Sequence, residues 1–253
     1  MADAVEVIRA AALDGIPHGF LGRRGGVSTG LVAGLNVGFG AGDDPAAVAE
    51  NRRLAGDAVL PGLPLVAVHQ VHSAICVTVD EPWDDSNRPT ADALVTARPG
   101  TAIGIVTADC APVLFAEAGA GVVGAAHAGW RGAHGGVAEA TLAAMEALGA
   151  RRERIVAAIG PAIAQASYEV AEDFRANFAP ADECFFTPAA PGHFQFDLEA
   201  YVAARLKGAG VGKVEKLGLD TYTDDARFYS FRRATHLGEP NYGRQFSLIG
   251  LPL

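Results

Sequence analysis

The chain has 253 residues, half of them hydrophobic, and its 29 acidic and 20 basic side chains give a formal net charge of −9. This supplies enough apolar material for a sizeable core and excludes general disorder. It also excludes the global positive field that non-specific duplex binding needs, so nucleic acid is not an expected partner, while a local basic pocket for one small anion stays open.

The first twenty residues carry acids where a secretory signal would carry lysines. The helical pattern of residues 45–60 opens after the capping pair Asp43-Asp44. Strand-sized apolar runs follow at 64–68 and 74–79. A polar stretch at 81–92 reads as a surface loop, and further runs lie at 102–107, 112–116 and 121–126. Several are apolar at successive positions, as strands covered on both faces are. Residues 136–148 form an Ala/Leu-rich helix ending at Gly149, then come a strand at 154–159 and a weaker helix at 171–178 closed by Pro180. A helix at 197–207 and strands at 213–219 and 245–251 complete the chain.

No Pro- or Ser-rich linker divides the sequence, and no repeat of solenoid period is present. The expectation is a single α/β (α+β) domain over residues 1–253, with helices flanking a mixed β core. Cys76, Cys110 and Cys184 form an odd, dispersed set, which argues against a disulfide framework and for a reducing, cytoplasmic setting. No uninterrupted apolar run reaches membrane-spanning length. The charge favours solubility and leaves the oligomeric state open.

Three side chains stand at the ends of apolar runs. His72 precedes the run at 74–79, Cys110 breaks the runs at 102–107 and 112–116, and His127 follows the run at 121–126. Thiolate and imidazole both suit zinc, and three protein ligands leave a fourth position open, as in catalytic sites. The separations of 38 and 17 residues require a site assembled from strand ends rather than a compact finger. The plain alternatives are a cysteine buried as a small hydrophobe and histidines that merely cap strands. Cys76 and Cys184 take the plain reading. His69 is three residues from His72, so on a strand the two would face opposite sides. Asp109, beside Cys110, reads equally as a proton shuttle or a structural hydrogen-bonder. Without metal, Cys110 as nucleophile with His127 or His72 as base would make a cysteine hydrolase or amidase. A purely binding or scaffold role is the third class.

The run Thr107-Ala108-Asp109-Cys110-Ala111-Pro112-Val113-Leu114, followed by His127-Ala128-Gly129-Trp130-Arg131-Gly132, resembles the YfiH-type laccase-domain family. Matching pieces span nearly the whole chain. They include Gly25-Gly26-Val27-Ser28, Leu35-Asn36-Val37-Gly38, Gln70-Val71-His72, Ala91-Asp92-Ala93-Leu94, Ser230-Phe231-Arg232-Arg233 and Gly243-Arg244-Gln245. The resemblance implies zinc on His72, Cys110 and His127, and an enzyme that phosphorolyses adenosine, inosine, guanosine and methylthioadenosine and deaminates adenosine. Purine nucleosides and phosphate are the implied partners. Some relatives are held to edit peptidoglycan precursors, which fits the amidase alternative. The family's older name suggests a copper polyphenol oxidase, but the seven histidines include no H-x-H pair, so copper is the less favoured ion. Departures are mild: Ser73 stands where glycine is usual, Gly22 where threonine often precedes the arginine, and Gly34 where serine often precedes Leu-Asn.

Phosphorolysis needs an anion site, and Arg grips phosphate oxygens with a planar fork. Arg23, Arg131 and Arg232 are the candidates beside turns, with Asn36 from the Leu-Asn-Val-Gly motif as a further substrate contact. No GxxxxGK[ST] and no GxGxxG after a strand is present, nor the HxE…PCxxC signature of nucleobase deaminases.

Overall fold

A computed structural model describes residues 4–253. Strands β1 (Val7–Ile8) and β2 (His18–Leu21) precede helix α1 (Pro45–Val59), whose N-terminus is capped by Asp44 accepting from the Ala46 N–H at 2.9 Å. Then come β3 (Leu65–Ala67), β4 (Cys76–Thr78), β5 (Ala93–Thr96), β6 (Thr101–Thr107), β7 (Ala111–Glu117) and β8 (Val122–Ala128). Helices α2 (Trp130–Gly135) and α3 (Val137–Ala147) lead to β9 (Val156–Ile159) and β10 (Glu169–Ala171). The chain closes with α4 (Glu172–Arg175), β11 (Phe186–Pro188), β12 (His193–Phe196), α5 (Leu198–Gly208), β13 (Lys213–Lys216), α6 (Phe231–Leu237) and β14 (Gln245–Leu251).

Two large sheets stack face to face. One has the order β1-β2-β14-β6-β3 and the other β13-β9-β7-β8-β5-β4; a small sheet β10-β12-β11 sits to one side. Both large sheets are mixed: β14 pairs antiparallel with β6 while β3 pairs parallel with it, and β7–β8 is antiparallel while β9–β13 is parallel. Alternation along β7 shows why its sequence is apolar from Ala111 to Ala116. Leu114 and Ala116 face the inter-sheet core with Phe20, Ile103, Ile105 and Ile249, while Val113 and Phe115 face the core shared with α3 and α5. Helix α1 covers the outer face of the other sheet through Ala55 and Val59 against Leu21, Phe246 and Leu248. The result is four layers, helix on sheet on sheet on helices. Cores of this kind bury side chains at roughly 1.5–3 kcal/mol each for Val, Leu, Ile or Phe, so both faces contribute.

The expected α/β class with helices flanking a mixed β core is what the chain adopts. Several details differ. The stretch before the expected helix at 136–148 is not a turn from Ala128 to Gly132 but the separate helix α2, which Gly136 at φ 97° ends as it starts α3 in a new direction. The expected helix at 171–178 is one short turn, since 169–171 is drawn into β10 by pairing with β12. Strand β5, directly after the polar loop and absent from the expected strands, lies between β8 and β4 and is buried along its whole length. Among the described residues no helix is long and apolar enough to cross a membrane.

Candidate functional site

Strand β6 belongs to one sheet and β7 to the other, so the turn Ala108-Asp109-Cys110 crosses between the sheets at the ends of these interior strands. Cys110 therefore emerges where two layers meet. His127 lies near the end of the neighbouring strand β8, directly across from Pro112 of β7. His72 sits in the loop before β4 with φ 63°, a left-handed conformation uncommon for a residue with a side chain. The loop is no strand, so the opposite-face argument separating His69 from His72 does not apply; both line the same cavity.

These three residues form the one cluster of metal-ligating type among the described residues, with a donor atom of each within 4.8 Å of the others. His72 Nε2 lies 3.9 Å from Cys110 Sγ, and the two imidazole rings are 4.7 Å apart at 69°. Ligands on one tetrahedral zinc at bond lengths of roughly 2.0–2.3 Å would stand about 3–4 Å apart. The donor set fits a metal after small side-chain adjustments. Gly129, which caps α2, is part of the fit: a Cβ there would lie 2.8 Å from Cys110 Sγ and 3.0 Å from His72 Cδ2.

Asp92 organises this centre, and sequence reasoning passed over it except as part of a motif. Its carboxylate is completely buried at the entrance to β5. One oxygen accepts from His127 Nδ1 at 2.8 Å and from the His72 N–H at 2.9 Å. The other accepts from the N–H groups of Val71 and Ser73 and from the Ser73 hydroxyl, at 3.2, 2.5 and 2.7 Å. The Asp92–His127 bond fixes the proton on Nδ1 and leaves Nε2 to face Cys110, the carboxylate–histidine arrangement that orients metal ligands. The same carboxylate pins the backbone of the His72 loop. Ser73, a departure from the family pattern, adds its hydroxyl to this clamp. One signal was available: a lone carboxylate leading directly into an apolar strand must find partners inside.

Charge follows geometry. Burial pushes the Cys110 thiol up, but the His127 and His72 imidazoles outweigh it and bring it down to about 6. Burial pushes His127 down, while the Cys110 sulfur and Asp92 hold it up at about 9. Burial also opposes ionisation of Asp92, yet His127 and the Ser73 bonds keep it well below the usual carboxylate range. Without metal, both shifts favour a thiolate facing an imidazolium.

Two cavities meet at the centre, sharing His72, Ala108 and Cys110. The larger, about 520 Å³, extends past Phe39, Arg88, Tyr242 and Arg244. The smaller, about 170 Å³, is walled by Trp130, Arg131, Tyr168, Phe231 and Arg232. Arg131 stacks on the Trp130 ring at 4.6 Å, and Arg232 lies over Tyr168 at 5.2 Å while donating to the Glu169 carbonyl at 2.7 Å. Both thus stand beside the three-residue cluster. The other two candidate contacts do not. Arg23 lines a separate cleft and donates to the carbonyls of Ala33 and Asp225, with its guanidinium over Tyr229. Asn36 is fully buried, donating to Asp43 at 2.8 Å and accepting from the N–H groups of Gly38 and Arg244 at 3.1 and 3.0 Å. It shapes the wall of the larger cavity from behind rather than lining it.

Asp109 lines the smaller cavity but its carboxylate is committed. It accepts from Thr221 Oγ1 at 2.6 Å, Ser230 Oγ at 3.0 Å and the Arg232 N–H at 2.6 Å. With φ 79°, it turns the chain so that Cys110 faces the cluster, and it ties the turn to the start of α6. Burial raises its pKa despite these donors.

Residues 17–252 match a protein-family model described as multi-copper polyphenol oxidoreductase laccase. A Deinococcus radiodurans protein named purine nucleoside phosphorylase is 42% identical, covering 99% of this chain and 95% of the relative. A Streptomyces coelicolor protein of the same name is 40% identical over 87% of this chain and 91% of its own. Among solved structures, a DUF152-family protein from Neisseria meningitidis superposes with a TM-score of 0.88 at 35% identity, covering 99% of this chain and all of that one. YlmD from Geobacillus stearothermophilus gives the same TM-score at 29% identity, with 99% and 100% coverage. Sequence match, fold and site together place the chain in the YfiH/DUF152 laccase-like family.

Proposed function

We propose that the protein is a zinc-dependent purine nucleoside phosphorylase acting on adenosine, inosine, guanosine and methylthioadenosine, with adenosine deaminase activity. The observation that carries this reading is the pair of cavities joined at His72 and Cys110, with arginines in both. Phosphorolysis breaks the bond from the ribose anomeric carbon to the purine and forms a bond to a phosphate oxygen, releasing free base and ribose 1-phosphate. Nucleophile and leaving group approach that carbon from different sides, and two cavities meeting at a neck suit that requirement. The names of the relatives support the same reaction.

His72, Cys110 and His127 would hold the zinc, with Asp92 orienting His127. When bound, zinc supplies Lewis-acid polarisation and a means of activating water near neutral pH. Arg131 and Arg232 offer guanidinium donors to phosphate beside the neck, and the aromatic rings of Tyr168 and Phe231 form part of the same wall. Asp109, engaged by three donors, acts in this reading as a positioning residue for Cys110 and Arg232. Deamination of adenosine consumes water and releases inosine and ammonia, so it is independent of phosphate. Copper on one cysteine and two histidines remains chemically permitted, but the cluster lacks the several imidazole groups of a multicopper oxidase.

The test uses purified protein with inosine, with and without phosphate. Phosphate-dependent hypoxanthine and ribose 1-phosphate support the reading; no turnover of any purine nucleoside with phosphate present ends it. One observation favours a second reading. Cys110, His127 and Asp92 are arranged in the order nucleophile, base and orienting carboxylate, and the thiol is acidified. A cysteine hydrolase acting on peptidoglycan precursors would keep its activity under strong chelation and lose it to thiol alkylation. A zinc enzyme loses activity to chelation and regains it with zinc.

A further inference from the structure

The larger cavity contains a cation that the reaction scheme above leaves unused. In a chain of net charge −9, this cavity is lined by Arg52, Arg88 and Arg244 and by no aspartate or glutamate. The arginines are not equivalent. Arg52 is buried and clasped by Asp85 through two bonds of 2.9 and 2.6 Å, between the rings of Phe39 and Phe246. Arg88 also lies over the Phe39 ring, at 4.9 Å, and shares Asp85 at 3.8 Å. Arg244 has no such carboxylate, and its Nη1 is buried without any hydrogen-bond partner among the described residues.

The surrounding chain holds this unpartnered fork in place. The guanidinium lies over the Tyr242 ring at 4.3 Å. The aliphatic stem crosses Gly38 so closely that a Cβ there would lie 2.8 Å from Arg244 Cδ. Asn36 Oδ1 accepts the backbone N–H groups of both Gly38 and Arg244, fixing the two segments together. A buried cationic donor costs stability unless something satisfies it; Nη1 of this half-buried arginine is such a donor and the residue lines the cavity, so a small anion entering there is the partner it lacks.

We infer that Arg244, supported by Arg88, forms an oxyanion seat in the larger cavity that takes a phosphate group. The group is either inorganic phosphate or the ester phosphate of a purine nucleoside 5′-monophosphate. This deepens the phosphorylase reading by adding an anion position on the cavity away from Arg131 and Arg232, yet it stands on binding alone.

The experiment is calorimetric titration of the purified full-length protein with inorganic phosphate and, separately, with inosine 5′-monophosphate. Arg244→Gln should weaken the occupant's binding about tenfold or more, the scale of losing one charge-assisted hydrogen bond. Arg244→Lys should recover part of it by restoring charge without the fork. Gly38→Ala, which displaces the stem and leaves every charge intact, should weaken it as well, guarding against a folding artefact of the first variant. Loss of phosphate binding identifies the free ion as occupant; loss confined to the monophosphate identifies the ester. If both ligands bind Arg244→Gln with unchanged affinity, or neither binds the parent protein, the seat does not exist. Absence of phosphorolysis with Arg244-dependent binding intact would overturn the reaction and leave the seat standing.

Discussion

Two buried aspartates flank the candidate centre, and they behave differently. Asp92 accepts five hydrogen bonds, one from a ligand-type imidazole, and stays firmly ionised. Asp109 accepts three, none from the cluster, and burial raises its pKa. Asp109 is adjacent to Cys110 in sequence, whereas Asp92 lies 18 positions before it. Yet Asp92 is the one that touches the reactive side chains. One carboxylate supports the charge on His127; the other holds the wall that carries Arg232. Proximity along the chain is a poor guide to electrostatic coupling where backbone turns sharply between sheets.

Removing a ligand tests the centre itself. Cys110→Ala should abolish bound metal and turnover while leaving the fold intact, checked by metal analysis and circular dichroism; retained stoichiometric metal would contradict the proposed ligand set. Asp92→Asn should lower metal affinity by about 10–100-fold, the range for losing a carboxylate behind a ligating histidine, whereas Asp109→Asn, which touches no ligand-type side chain, should lower it far less. Equal effects in competition with a chelator would erase the distinction between the two residues.

A pH experiment on metal-free protein sharpens the comparison. The Cys110 thiol is depressed to about 6, so its thiolate fraction rises as pH climbs through that value and is nearly complete at neutrality. Alkylation by iodoacetamide, followed by mass spectrometry, should have its midpoint near pH 6 rather than near the roughly 8.5 of a free thiol. Asp92→Asn withdraws support from the His127 charge and should move that midpoint upward; Asp109→Asn should not. The smallest effect concerns stability. Asp109→Asn leaves one of the donors around it mismatched and should cost about 1–3 kcal/mol, read as a lowered Tm without metal loss. An unchanged Tm would show that its clamp on Thr221 and Ser230 contributes little.

Much of the molecule was legible in the chain. Strands such as β7 and β8 are buried at every position and apolar at all but Glu117 and His127 because both faces are covered, and that pattern is local. Helix α1 announces itself through Asp44 and Pro45 at its start. Helix α6, Phe-Arg-Arg-Ala-Thr-His-Leu, has little amphipathic pattern and was missed; Ser230 caps it and Asp109 receives its Arg232 N–H across the structure. Arg23 and Asn36 sat in motifs of the right kind, but their side chains are turned toward backbone carbonyls and buried loops.

The residue types needed for the centre were fixed by the chain: one soft thiolate and two imidazoles at breaks between apolar segments. Their meeting was decided by the crossover of β6 into β7 between two sheets and by the register that puts His127 across from Pro112. So were the partnership of His127 with Asp92 and the burial of Arg244 Nη1 without a hydrogen-bond partner among the described residues. Patterns of burial repeat every few residues and can be read from neighbours. A pairing between groups 35 positions apart depends on how whole layers stack, and the energy of that stacking comes from the entire core.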